Sequence, residues 1–139
     1  MIEGLMIGEV SKIDASEGTV RVFFPAYEYV SKDLPLLNFE YNMPKVGDQV
    51  ACLFSKMGIY EGVCLGGFYS KVQQTPENDE RIFKKLLKTT GSLKYDDKEQ
   101  TLTICAKNVL LKGNIKITGD SEVETLRGKK ITAPIINEV

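Results

Sequence analysis

The stretch Val109-Leu110-Leu111-Lys112-Gly113-Asn114-Ile115-Lys116-Ile117 decides how the chain is read. Val109, Leu111, Gly113, Ile115 and Ile117 recur at a spacing of two, and Lys and Asn fill most of the gaps. That is the period of a β-strand with one apolar face and one wet face. Leu102 and Ile104 alternate in the same way just upstream, and Leu93 and Tyr95 do so before the turn-like Asp96-Asp97-Lys98-Glu99. Val123, Leu126 and Ile131 continue the series more loosely. The strands are short, and Lys-Asn, Gly-Asn and Gly-Asp turns separate them.

Residues 91–139 thus carry one lean apolar stripe and few aromatics. A stripe of that size cannot bury enough surface to offset the cost of ordering the backbone. It needs a partner surface. One solution makes these residues a further sheet layer on the N-terminal part of the chain. The other makes them pack on copies of themselves, as a β-solenoid does. There are too few residues for a single-chain solenoid, but three chains wound about one axis would suffice. Leu102, Ile104, Val109, Leu111, Ile115, Ile117 and Val123 would then form the needle core and trimer interface, and strand edges would pair between chains. Periodicity alone leaves both solutions open, and the wound trimer accounts better for the short, lean strands.

Residues 71–80, Lys-Val-Gln-Gln-Thr-Pro-Glu-Asn-Asp-Glu, read as a linker. Residues 80–90 hold the one helix candidate, with Ile82, Phe83, Leu86 and Leu87 on one face and Asn78 or Asp79 as cap. A strand is the alternative, and a short polar-faced connector is preferred to both.

The first seventy residues read as all-β. Residues 5–13 form a first strand with Met6, Gly8 and Val10 on one face. In residues 19–24, Val20, Val22 and Phe24 face one way, and Pro25 ends the strand because it lacks a donor. Residues 34–39, 49–54 and 60–65 complete five strands, with Ser55-Lys56-Met57-Gly58 between the last two. Five short strands with glycines at the corners suggest a small closed barrel of the OB type. The expected order is therefore a barrel over 1–70, a linker over 71–90 and a β-helical spike over 91–139.

Charge supports the same division. Residues 1–70 hold five Lys/Arg and nine Asp/Glu, a net of −4, and residues 71–139 hold thirteen and ten, a net of +3. The barrel could offer Phe23, Phe24, Tyr27, Tyr29 and Tyr41 as stacking platforms for a nucleic acid, the alternative function. Its negative charge has the wrong sign for that. Histidine is absent, which removes the commonest general base and metal ligand. The paired acids Asp96 with Asp97 and Glu122 with Glu124 lack a partner base or nucleophile, so no catalytic or metal site and no cofactor is expected. Cys52, Cys64 and Cys105 are odd in number and widely spaced, and each reads as a small buried hydrophobe. Met1-Ile2-Glu3-Gly4-Leu5 has no basic region or long apolar core, so synthesis in a reducing cytoplasm without a signal peptide is expected. The Lys-rich tail, with Lys107, Lys112, Lys116, Lys129 and Lys130, reads as hydrated outward positions. Attraction to an anionic envelope is a secondary reading.

"PKVGDQVACLF" from Pro44 and "YEGVCLGGFYS" from Tyr60 resemble the OB-fold domain of the phage baseplate assembly protein V family, the central spikes of contractile tails. The same module occurs in type VI secretion spikes and R-type bacteriocins. "IGEVSKIDASEGTVRVFFP" from Ile7 looks like the family's first hairpin. Pro44, Gly47, Gly62, Gly66 and Gly67 carry the motif, the first two as a tight turn and the others where strands bend or crowd. The resemblance covers about residues 5–70 well and 91–139 by character only. It implies a homotrimer seated on a baseplate hub or tail tube protein, with a needle driven through the target cell envelope when the sheath contracts. It also implies assembly into a virion tail or a bacteriocin particle. Many members end in a His-x-His pair that holds iron at the tip, and this chain has no His. Its apex would close through Pro134, Ile135 and Ile136, or under a separate tip protein. A lysozyme domain, which some relatives insert after the barrel, has no room in residues 71–90.

Overall fold

The computed structural model describes residues 4–55 and 62–128. It is all-β with two antiparallel sheets. The backbone divides into two compact units, Met1–Lys107 and Asn108–Val139.

The first unit begins with β1 (Gly4–Asp14), whose inward positions Met6, Gly8 and Val10 are buried as the alternation requires. The strand serves two neighbours. Its first half pairs with β5 (Gln49–Phe54), from Gly4 opposite Phe54 to Glu9 opposite Gln49. Its second half pairs with β2 (Thr19–Phe24), from Glu9 opposite Phe23 to Asp14 opposite Thr19. A register shift between Val10 and Lys12 separates the halves, and such bulges bend a strand. Gly8 sits at the crossing: a Cβ there would lie 2.4 Å from the Phe23 carbonyl oxygen.

Two short strands extend the sheet along β2. They are β3 (Tyr29–Val30) and β4 (Leu34–Pro35). The strand expected over residues 34–39 is therefore shorter than its apolar run. Leu36 still donates its N–H to Gly18 (3.0 Å), but it also forms a parallel bridge to Cys64 of β6 (Gly62–Gly66). One residue is thus shared between two strands, and beyond it the chain leaves the sheet. β6 pairs with β5. Following the pairs from β1 to β2, to β4, across Leu36 to β6, and on to β5 leads back to β1.

Inside this circuit lie Met6, Val10, Val20, Val22, Phe24, Leu34, Val50, Cys52, Phe54 and Cys64. Phe24 packs edge-on against Phe54, with ring centres 5.6 Å apart, and stacks on Tyr29 at 6.4 Å. Ser31 is the buried polar residue of this core. Its hydroxyl accepts from Val22 N–H (2.9 Å) and donates to the Lys32 carbonyl (2.7 Å), so nothing is left unpaired.

The helix candidate over residues 80–90 is corrected. Residues Ile82–Leu87 form strand β7 and pair with β8 (Gly91–Asp96), which in turn pairs with β9 (Thr101–Cys105). Six residues make a poor isolated helix, whereas the polar run Lys88-Thr89-Thr90 makes a hairpin turn with Lys88 at φ +58°. Cross-strand pairing with β8 then decides the conformation. The residues expected to be a linker also hold firm contacts. The Gln73 side-chain amide accepts from Gln49 N–H (2.7 Å) and donates to the Gln49 carbonyl (3.1 Å), copying a neighbouring strand at the start of β5.

In the second unit, no described residue from 108 to 128 belongs to a helix or strand. The strand spacing at Val109, Leu111, Ile115 and Ile117 has no ladder among the described residues. Pro134, Ile135, Ile136, Lys129 and Lys130 lie outside the described residues, as do Tyr60 and Glu61.

Candidate assembly surface

The three-stranded sheet has two unlike faces, fixed by its register. On one, Phe83, Tyr95 and Leu102 stand in one cross-strand row, and Lys85, Leu93 and Ile104 in the next, with Leu87 beyond. On the other, Lys84, Lys94 and Thr103 form a row, and Leu86, Ser92 and Cys105 another. The Glu77 carboxylate bridges Lys84 and Lys94, at 3.2 Å from each ammonium. It relieves the repulsion between two lysines placed directly opposite. Those ammonium groups hold the Glu77 carboxyl below its usual range. At the strand's entry, Arg81 grips Asp79 through two side-chain bonds and a backbone N–H, and the Asp79 carboxyl falls to about 2. Lys85 forms an ion pair with Glu40, and Lys88 donates to the Met43 carbonyl (3.3 Å), tying β7 to the loop after Leu36.

The apolar face is open. Leu102 and Ile104 on this sheet, and Val109, Leu111, Ile115, Ile117 and Val123 in the second unit, are each 53–67% exposed. Every described residue from 97 to 128 is exposed. The expected stripe thus exists as surface, and no described residue of the chain covers it. Cys105 belongs to the same exposed stretch, which corrects its reading as a buried hydrophobe: it ends β9 on the polar face, with no layer above it. Cys52 and Cys64 are buried as expected.

A second apolar patch lies on the outer side of the first sheet. Leu5 stands opposite Leu53, and Leu53 opposite Val63, with Ile7 one step along β1. Leu5, Ile7 and Leu53 are all exposed. Sequence reasoning did not single out these residues. The signal was present in Leu5 and Ile7, whose alternation with Met6 and Gly8 gives β1 apolar residues on both faces.

The barrel motif resolves into distinct roles. Lys45 to Asp48 form a turn: Asp48 N–H donates to the Lys45 carbonyl (3.0 Å), and Asp48 Oδ2 accepts from Lys45 N–H (2.9 Å). Gly47, at φ +96°, holds the left-handed conformation that this turn needs, and its N–H reaches the Val10 carbonyl (2.8 Å) beside the bulge of β1. Pro44 precedes the turn. At Gly62 a Cβ would lie 2.6 Å from the Phe54 ring, so the close approach of β5 and β6 depends on it. Gly66 has a positive φ of 107°. Gly67 is not crowded, since a Cβ there would meet only ordinary contacts from 3.8 Å.

The aromatics weighed as stacking platforms do not share one surface role. Phe24 is core, Phe23 and Tyr29 are half-buried, and Tyr41 donates its hydroxyl to the Ala15 carbonyl (3.0 Å). A cleft of about 550 Å³ runs beside the loop after β4, lined by Leu36, Phe39, Tyr41, Met43 and Leu65 among others. Its carboxylates are Glu17 and Glu40, and Glu40 is engaged by Lys85. Of the acid pairs, Asp96 accepts from the N–H groups of Lys98 and Glu99, which fixes the turn between β8 and β9. Among the described residues no three His, Cys, Asp or Glu side chains converge as a metal site. The geometry is that of surfaces to be covered. Neither the known protein-family models nor the curated proteins contain a match to this chain.

Proposed function

We propose that this chain is a structural, non-enzymatic spike subunit of a contractile tail, working as a homotrimer. In this reading the circuit of β1, β2, β4, β6 and β5 is an OB-type barrel that seats on a hub or tube protein. Residues 91–139 wind with two other copies into a needle. The observation that carries the proposal is the unbroken exposure of residues 97–128, with apolar residues alternating over 102–104 and again over 109–117. A backbone whose donors and acceptors lack partners in its own chain must find them in water or in another chain. A regular apolar stripe favours another chain, because water gains nothing from it. Threefold winding would supply both sets of partners at once.

The sequence resemblance of Pro44, Gly47, Gly62 and Gly66 to the spike family's barrel supports the same reading, and the turn and close approach seen at Gly47 and Gly62 give that motif a physical purpose. A needle of this kind works by resisting buckling as it is driven through a cell envelope. It requires no cofactor. The apex would be closed by residues 134–136 or by a separate tip protein.

The test is mass in solution. Sedimentation equilibrium of the full chain should give three times 15.5 kDa, persisting on dilution and in mild detergent. A monomer that keeps its β content would overturn the proposal. Salt-sensitive retention of single-stranded DNA in a gel-shift assay would instead favour an oligonucleotide-binding barrel.

A further inference from the structure

Inside the strand circuit two buried thiols face one another. Cys52 of β5 stands directly opposite Cys64 of β6 in an antiparallel register. Directly opposed residues in such a ladder have Cα atoms about 4.5–5.5 Å apart, inside the roughly 4.4–6.8 Å that a disulfide spans. Both side chains point to the same side of the sheet, into the core, and both are fully buried. We propose that Cys52 and Cys64 are a modification site: a dithiol that a peroxide converts, without rearranging the sheet, into an intrachain disulfide between β5 and β6.

Interaction with the Cys52 thiol, helped by the Gly66 N–H, pulls the Cys64 thiol down, while the same interaction and burial push Cys52 up. Cys64 is therefore the sulfur that ionises first and attacks. Its thiolate displaces hydroxide from hydrogen peroxide and becomes a sulfenic acid. The Cys52 sulfur then attacks Cys64 sulfur, the S–OH bond breaks, and water leaves. Overall two thiols and one peroxide give one disulfide and two waters. Hydrogen peroxide is about the size of water, so brief local opening of the sheet admits it where larger oxidants are excluded.

The position gives the bond a consequence. Cys64 is also the residue bridged by Leu36, so it lies where the circuit of strands closes. A disulfide there would join β5 to β6 around eleven intervening residues and lock the last pairing of the circuit. This inference concerns the first sheet alone and does not rest on the spike reading.

The exposed Cys105 must be removed first, so the test uses the full chain carrying Cys105→Ser. The folded protein is treated with hydrogen peroxide, then denatured and alkylated, and its intact mass is measured. The expected product is 2 Da lighter, takes up no alkylating agent, and returns two alkylatable thiols after dithiothreitol. Its melting midpoint should rise by several degrees, and amide exchange in β6 should slow at least tenfold. A further Cys52→Ala substitution should abolish the 2 Da loss, leaving one thiol or its oxygen adduct. Two intact thiols at peroxide doses that fully convert the Cys52→Ala protein would overturn the proposal. So would a disulfide joining two chains.

Discussion

The circuit of strands through Gly66 and the stretch over residues 97–128 use apolar residues in opposite ways. In the first, Val20, Val22, Phe24, Val50 and Cys64 lie within 1% of complete burial, and their own chain supplies every contact. In the second, Leu102, Ile104, Ile115 and Ile117 follow the same period of two, and no described residue covers them. Equal periodicity therefore does not mean equal burial. What differs is bulk and company: Phe24, Phe54 and Tyr29 fill a small interior, whereas the later stretch has no described aromatic after Tyr95. One region fills its interior from a single chain, and the other stands exposed among the described residues, where the proposed trimer would cover it.

The largest expected effect breaks the second region and spares the first. Ile115→Asp would bring three carboxylates to one axis of a wound trimer, and unpaired charges are not tolerated there. Sedimentation should then report a single chain, while the circular dichroism of the first sheet is retained. Unchanged trimer mass would mean that Ile115 faces outward. The converse break is Phe24→Ala. It removes a fully buried ring and its contacts to Phe54 and Tyr29, at about 3–5 kcal/mol. Urea denaturation should show that loss in the transition of the first sheet, whether or not the chains associate.

Much of the first region was legible, and the reasons are local. Alternation at Val20, Val22 and Phe24 needs no knowledge of the rest of the chain, and Pro25 ends its strand on sight. What escaped reading depends on distant partners. Nothing in the apolar run after Leu34 says that Leu36 bridges Cys64, so the strand looked longer than it is. Residues 82–87 fit a helical face and a strand almost equally, and only pairing with β8 chooses. Cys52 and Cys64 are twelve positions apart, and that spacing alone does not reveal that they face each other. The glutamine at 73 carries no signal that its amide would imitate a strand. In the assembly surface, the stripe was readable by period. The patch of Leu5, Ile7 and Leu53 was not, since its cross-strand rows follow from the register.

Gln73, beside the strand circuit, gives the next smaller effect. Its amide satisfies both backbone groups of Gln49 and also donates to the Phe68 carbonyl (2.9 Å). Gln73→Ala would leave the partly buried Gln49 N–H and C=O to water that reaches them poorly, at about 1–2 kcal/mol. Hydrogen exchange at the Gln49 amide is the direct readout. Unchanged exchange would show that water replaces the side chain fully.

The smallest expected effect is a pH dependence of the sheet of β7–β9. Glu77 is held below its ordinary carboxylate value by Lys84 and Lys94, and Asp79 is held at about 2 by Arg81. In the unfolded chain both groups bind protons more readily. Stability from these pairs is therefore fully present above about pH 4.5 and drains away as pH falls toward about 2. The charges are exposed, so salt should shrink the effect. Glu77→Gln tests the assignment. The substituted chain should lose a little stability at neutral pH, because Lys84 and Lys94 then face each other uncompensated, and its acid slope should be shallower than that of the parent. Exchange of the β8 amides should accelerate in acid, and less steeply in the Glu77→Gln chain than in the parent. An identical acid slope in both proteins would show that the Glu77 bridge contributes nothing. The polar face of this sheet would then owe its order to the strand pairing alone.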